Sequence, residues 1–236
     1  MRKLFSCFGS ILLAVLPTFA GIASTSEKNK DDARLRNCGT VLREILDVPD
    51  DIPRDLLDKA DCVVVFPSVL KSTFKGGGIY GRGAMSCRQG DGFKGSWGAP
   101  TMMALDGGSF GFQIGGEATD LVLLVMNEYG ARGILNGKVK LGPDASVAAG
   151  PVGRDLSAAS DANLRTQIFS YSRARGRFAG VSLKGSTVRT DYGDNRRLYG
   201  RKIPSIDIAL SGTVAVPSAA GELISTLDAK TPKRKA

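Results

Sequence analysis

Twenty of the chain's 30 glycines fall between Gly76 and Gly153. Glycine inside a helix costs about 1 kcal/mol relative to alanine, so this stretch is built differently from the rest of the chain. What lies between the glycines is short and apolar: Gly78-Ile79-Tyr80-Gly81, Gly83 to Cys87, Thr101 to Leu105 and Phe110 to Ile114. Gln89-Gly90-Asp91-Gly92 and Asp106-Gly107-Gly108 supply turns between them. The pattern predicts an antiparallel meander whose glycines permit tight curvature or close packing.

The flanks read differently. Over 27–48, Leu35, Cys38, Val41, Leu42, Ile45 and Leu46 recur every three or four residues, as on one side of a helix. Lys28, Lys30, Arg34, Arg36 and Arg43 occupy the other positions. This apolar side can pack on a sheet, or it can lie in a membrane interface with the basic residues meeting head groups. Pro53 opens a second short helix. Asp51, Asp55 and Asp58 on its other side lack calcium-loop spacing and are expected to be solvated.

Cys62 to Phe66 is a β-branched run that should end as a buried strand at Pro67. Asp120 to Asn127 is apolar on both faces, as a central strand is. A short helix through Tyr129 to Leu135 follows, then strands at Val139 to Leu141 and Ser146 to Ala149. Gln167 to Ser172 and Phe178 to Leu183 form a predicted hairpin with Arg173, Arg175 and Arg177 at its tip. The chain turns helical after Asp191, with a last helix near Ala219 to Leu227.

Met1-Arg2-Lys3, an apolar stretch from Leu4 to Ala20 and small residues near Ala20 and Ala23 match the three-part layout of a secretory signal. Residues 1–23 are therefore expected to be removed on export; Pro17 and the short apolar length weigh against a retained anchor. The net charge of +9 falls to +7 once Arg2 and Lys3 are gone. A basic exported surface meets anionic lipid or acidic polysaccharide, and nucleic acid is not an expected partner. Residues 24–32 are expected to be a linker, 33–228 one domain, and 229–236 a frayed basic tail.

Histidine is absent. Ser-His-Asp and Cys-His nucleophile systems and His-ligated metals are excluded with it. Cys38, Cys62 and Cys87 remain after export, an odd number without a C-x-x-C pair, and are expected as small buried hydrophobes. Gly76 to Gly81 formally matches G-x-G-x-x-G, but no helix pattern follows and Arg82-Gly83 is not a P-loop ending. The carboxylates Glu117 and Asp120 are read as a turn residue and a strand cap. No catalytic residue, cofactor or metal is expected. The charge-bearing leads are Lys71, Lys75 and Arg82 around the first glycine run, the 173–177 arginines and the basic side of the first helix.

Several ordered motifs then coincide: Ile52-Pro53 with Leu56-Leu57 and Ala60, Val65-Phe66-Pro67-Ser68, Gly77-Gly78 with Tyr80-Gly81, Trp97 with Ala99-Pro100, and Gln113-Ile114-Gly115. Asp120-Leu121-Val122, Gly150-Pro151-Val152-Gly153-Arg154, Tyr171-Ser172, Phe178-Ala179-Gly180 and Tyr199-Gly200 continue the series. From about 33 to 228 the sequence resembles the SYLF domain, the Ysc84-type actin-binding domain. That resemblance implies non-enzymatic binding of phosphoinositides and other anionic phospholipids through an amphipathic helix and basic residues. It also implies coupling of membranes to actin in eukaryotic members.

The expected fold is α+β: one domain, with a Gly-rich, mainly antiparallel curved sheet and N-terminal amphipathic and C-terminal helices packed on it. The expected location is the periplasm or envelope, where actin is not an expected partner. Candidate lipid contacts are Arg34, Arg36, Arg43, Leu35, Val41, Leu42, Lys71, Lys75, Arg173, Arg175 and Arg177. A protein-interaction scaffold would instead show an exposed apolar patch away from the first helix. An acyl-chain carrier would enclose an apolar cavity of about 300 Å³ or more.

Overall fold

A computed structural model describes residues 20–47, 52–72, 78–107, 118–141, 147–149, 167–174, 177–180, 183, 185–231 and 234. Among the described residues, nine strands form one sheet: β1 (Cys62–Ser72), β2 (Gly78–Cys87), β3 (Thr101–Gly107), β4 (Thr119–Val125), β5 (Lys138–Lys140), β6 (Val147–Ala149), β7 (Ile168–Ala174), β8 (Arg177–Gly180) and β9 (Ser186–Thr190). Their order is β5-β9-β3-β2-β1-β4-β7-β6, with β8 paired to β7. Every pairing among them is antiparallel except β6 with β7. The α helices are α1 (Ala20–Leu46), α2 (Arg54–Lys59), α3 (Glu128–Leu135), α4 (Tyr192–Tyr199), α5 (Ser205–Leu210) and α6 (Gly221–Lys230).

The sheet has helices on both faces, and strand alternation assigns each side chain to one of them. Val63, Val65, Ala84, Met102, Val122, Leu124, Phe169 and Tyr171 pack with α1, α2, α4 and α6. Val64, Phe66, Met85, Met103, Leu105, Leu121, Leu123, Val125, Ile168 and Val188 pack with α3 and α5. β4 lies between β1 and β7, so its doubly apolar sequence is explained. The periodic row Leu35, Cys38, Val41, Leu42 and Ile45 is buried against the first face. Gly39 lets α6 close on α1: a Cβ there would stand 2.8 Å from the Leu223 nitrogen.

Several expectations are corrected. β1 does not stop at Pro67 but runs on to Ser72 across a bulge, where its register slips against both neighbours. Ser68 takes a left-handed φ of 53° there, and such a bulge bends the strand. The glycines of β2 do not divide it. Phe66 lies over Gly83, where a Cβ would meet the Phe66 ring at 2.8 Å.

Residues 24–32, expected as a linker, are turns of α1. The expected signal segment lies outside the described residues up to Ala20, where α1 begins. The run 110–114 and the hairpin tip 175–176 also lie outside them. Among the described residues no helix is long and apolar enough to cross a membrane.

Two cysteines turn out to be paired. Cys62 and Cys87, cross-strand partners in β1 and β2, form a disulfide, while Cys38 is free and buried. Nor is the C-terminal segment simply frayed. The Thr231 carbonyl accepts from Arg88 Nη2 (3.0 Å) and Trp97 Nε1 (3.3 Å), and Arg234 pairs with Asp61 at 2.8 Å.

Candidate functional site

The face shared with α1 changes character along β2. Ala84 sits under the helices; two and four residues earlier, Arg82 and Tyr80 are on the same face. Cross-strand partners share a face, so the rows extend sideways. Arg82 continues through Ala104 to Arg189 and Lys138, and Tyr80 through Asp106 to Thr187 and Lys140. Lys138 and Lys140 are exposed, and Arg189 pairs with Asp106 at 2.8 Å. Ala104 in the first row is buried, but the outer row is open to solvent, and the basic residues of the two rows come from β2, β9 and β5, with β3 contributing Asp106.

Beside it, a groove of about 330 Å³ opens between α1 and the β1–β2 pair. Lys30, Ala33, Arg34 and Asn37 form one wall, and Pro67, Ser68, Leu70, Tyr80 and Arg82 the other. The β1 bulge sets this wall. It keeps Phe66 and Val69 together on the far face and turns Leu70 to the groove, 57% exposed. Tyr80, the strand partner of Leu70, is 44% exposed.

Behind the groove, three arginines meet three aspartates drawn from α1, β2 and α4. Arg34 Nη1 donates to Asp31 Oδ1 (3.0 Å) and Asp194 Oδ2 (2.7 Å). Arg82 Nη1 donates to Asp194 Oδ2 at 3.0 Å and to Asp191. Arg197 Nε donates to Asp31 Oδ2 at 2.9 Å and its Nη2 to Asp194. Asp191 also caps α4 by accepting from the Asp194 amide.

Burial pushes the Asp31 carboxyl above its ordinary range, opposed by its hydrogen bond from Arg197. Burial works against the Arg82 charge, but the Tyr80 hydroxyl and Asp194 outweigh it and raise the guanidinium above its usual value. Arg82 also sits 5.7 Å from the Tyr80 ring centre. The carboxylates fix one edge of each guanidinium. Among the described residues, the Nη2 donors of Arg34 and Arg82 have no partner.

The sequence-derived candidates fall apart in space. Arg34 and Arg82 belong to the groove. Arg36 is exposed on α1, and Arg43 is exposed and pairs with Glu222 at 3.2 Å. Leu35, Val41 and Leu42 are corrected from membrane contacts to core: all three are buried under α1.

Arg173 is not at a hairpin tip. It lies within β7, pairing with Asp120 (2.8 Å) and Glu44 (2.6 Å). Asp120 in turn accepts from the Ser68 amide at 3.0 Å, which ties Arg173 to the groove wall. Lys75 and Arg175 lie outside the described residues; Lys71 and Arg177 are strand residues whose side chains also do.

Sequence reading missed Lys138, Lys140, Arg189 and the three aspartates. The alternations Lys138-Val139-Lys140 and Thr187-Val188-Arg189 carried the signal for the basic rows. Pairs such as Arg34 with Asp194, 160 residues apart, carry none.

These features define a single-domain α+β protein with a charged, solvent-facing sheet surface and an adjoining groove. The family model described as "Ysc84: Las17-binding protein actin regulator" matches residues 106–230. Protein YSC84 of Saccharomyces cerevisiae is 36% identical over 182 residues, covering 76% of this chain and 38% of that protein. LAS seventeen-binding protein 3 of the same species is 33% identical, covering 76% of this chain and 39% of its own length. The SH3 domain-containing YSC84-like protein 1 of Homo sapiens is 33% identical over 205 residues, covering 84% of this chain and 58% of that protein. The chain belongs to the Ysc84 family, and it spans about two-fifths to three-fifths of the length of these relatives.

Proposed function

We propose that this protein is a non-enzymatic binding module that attaches peripherally to anionic phospholipid surfaces. The observation that carries the reading is the basic end of the sheet, with Lys138, Lys140, Arg189 and Arg82 in its rows and Leu70 and Tyr80 exposed at its margin. Each basic residue held near an anionic surface contributes on the order of 1 kcal/mol, and salt weakens it. Leu70 and Tyr80 add apolar contact at the interface. The role expected for α1 changes accordingly: its buried row holds the fold together, and only its outward basic residues face a membrane. The groove is open and lined by three cations, so it does not support the acyl-carrier reading. The Cys62–Cys87 disulfide supports export to an oxidising compartment such as the periplasm or envelope.

The test is co-sedimentation of the chain with phosphatidylcholine vesicles, with and without phosphatidylglycerol, at low and high salt. Salt-sensitive pelleting on the anionic vesicles, weakened at least tenfold by Lys138→Glu with Lys140→Glu, is expected. Equal pelleting on neutral vesicles, or indifference to the double reversal, refutes the reading. A second reading, contact with a protein partner, draws on relatives whose names state Las17 or LAS seventeen binding. It also draws on Tyr129 of α3, exposed away from this face.

A further inference from the structure

We propose that the outer edge of β5 is a docking strip for an extended acidic peptide segment, which adds to the sheet as a further strand. The proposal goes beyond the anionic-surface reading and shares with it only Lys138 and Lys140.

The backbone supplies the first argument. β5 is the last strand in the sheet order, and β9 is its one neighbour among the described residues. Two bonds flank that pairing. The Thr190 amide donates to the Gly137 carbonyl at 3.1 Å, and the Leu141 amide donates to the Ser186 carbonyl at 2.6 Å. In an antiparallel ladder, hydrogen-bonded pairs alternate with pairs that do not bond each other. Gly137 and Leu141 therefore turn their polar groups toward β9, as does Val139 between them, opposite Val188. The amides and carbonyls of Lys138 and Lys140 point the other way, off the edge of the sheet. An open edge of this kind templates pairing with another chain, and extended peptides bind sheets by such addition.

Side chains then select the occupant. Lys138 and Lys140 share one face, are exposed, and have no ion-pair partner among the described residues. Arg189, directly across from Lys138, is already held by Asp106 at 2.8 Å. A strand added along β5 sets its own alternate residues opposite the two lysines, where opposite charges stabilise and like charges destabilise. Glutamate or aspartate at positions two apart meets both. A second copy of this chain does not fit, because antiparallel pairing of two β5 strips about Val139 sets Lys138 against Lys140 twice.

The strip is also held in place from behind. Val139 faces the other side of the sheet, where α3 lies over it: a Cβ at Gly133 would stand 3.3 Å from Val139 Cγ2. Backbone fixed in this way by β9 and α3 loses little freedom when a partner pairs with it.

The test is fluorescence anisotropy of the full chain with a labelled peptide of alternating pattern, Thr-Glu-Val-Glu-Val-Glu-Thr. Two control peptides carry the same charge. One groups its glutamates together, and the other is N-methylated on the glutamate amides that would bond to β5. The alternating peptide is expected to bind at least about fivefold tighter than either control. Lys138→Gln with Lys140→Gln should weaken it by a similar factor. Both lysines are exposed, so a thermal melt should show the variant folded.

Equal binding of the three peptides overturns the docking strip, since charge alone then accounts for it, and leaves the anionic-surface reading to its vesicle assay. A preference that survives the double substitution places the peptide elsewhere and overturns the strip as well. No measurable binding of the alternating peptide has the same consequence.

Discussion

Asp194 is 3% exposed and receives Arg34, Arg82 and Arg197, from α1, β2 and α4 respectively. Replacing it with asparagine preserves shape, removes the negative charge and leaves three guanidiniums facing one another. Breaking a buried ion pair by removing one partner costs about 3–5 kcal/mol. Here the arginine side chains are 22%, 31% and 33% exposed, so water recovers part of that loss. Asp31 and Asp191 also still hold one contact each with Arg34 and Arg82.

We therefore expect Asp194→Asn to lose about 2–4 kcal/mol, between an exposed pair and a fully buried one. For a chain of this size that is a fall in Tm of roughly 4–16 °C. Urea denaturation followed by circular dichroism, with an unchanged m-value, reads it directly. The matched control is Glu128→Gln, which breaks the exposed pair with Arg132 and should change stability by under about 0.5 kcal/mol. If Asp194→Asn costs no more than the control, the cluster does not fasten α1 to the sheet, and the groove loses its argued rigidity.

Three further expectations come from burial and cross-linking. Releasing α1 would expose Leu35, Val41, Leu42 and Ile45 at about 1.5–3 kcal/mol each, comparable to a whole domain's stability, so the buried Cys38 should resist maleimide equally in solution and on anionic vesicles. Peptide mapping that finds Cys38 labelled on vesicles at its unfolded-state rate would show instead that α1 inserts. Burial also pushes the Cys38 thiol from 9.0 up to about 12. The unfolded chain therefore releases this proton first, and stability should fall by about 1.4 kcal/mol per pH unit as pH rises from 9 toward 12. The slope between pH 9 and 10 should flatten in Cys38→Ala, because Tyr171 and Tyr199, also raised by burial, release theirs later. An identical slope in the variant would be contrary. The disulfide spans 25 residues, so Cys62→Ser with Cys87→Ser should cost about 3 kcal/mol in a denaturant titration, against nothing measurable if the link is dispensable.

Much of the fold could be read from local pattern. The 3.6-residue row of α1, the doubly apolar β4, the helix near Tyr129 and the return to helix after Asp191 all carry their periodicity in consecutive residues. What escaped reading is non-local. Pro67 looks like a strand terminus, because nothing in the sequence announces that a bulge will carry β1 past it. Gly81 and Gly83 look like breaks because the groups that need their space, Val69 and the Val65 carbonyl with the Phe66 ring, belong to another strand.

The Cys62–Cys87 pairing depends on the β1–β2 register, and the Asp31–Asp194–Arg82 cluster on three elements meeting. Arg34 was identified, but its aspartate partner was not, and that partner makes it a fixed donor rather than a loose surface charge.

The bulge at Ser68 also makes the surface a matter of odd and even counting. In an unbroken strand, residues two apart share a side, so Phe66, Ser68 and Leu70 would all face α3 and α5. One supernumerary residue inverts that parity for everything after it, keeping Val69 inside and sending Leu70 out. Deleting Ser68 would return β1 to plain alternation with Val69 still inside and Leu70 still outside, whereas straightening the strand with Ser68 retained would exchange the two. The outer character of this edge therefore depends on the bulge absorbing one residue, a property of the backbone rather than of any one side chain.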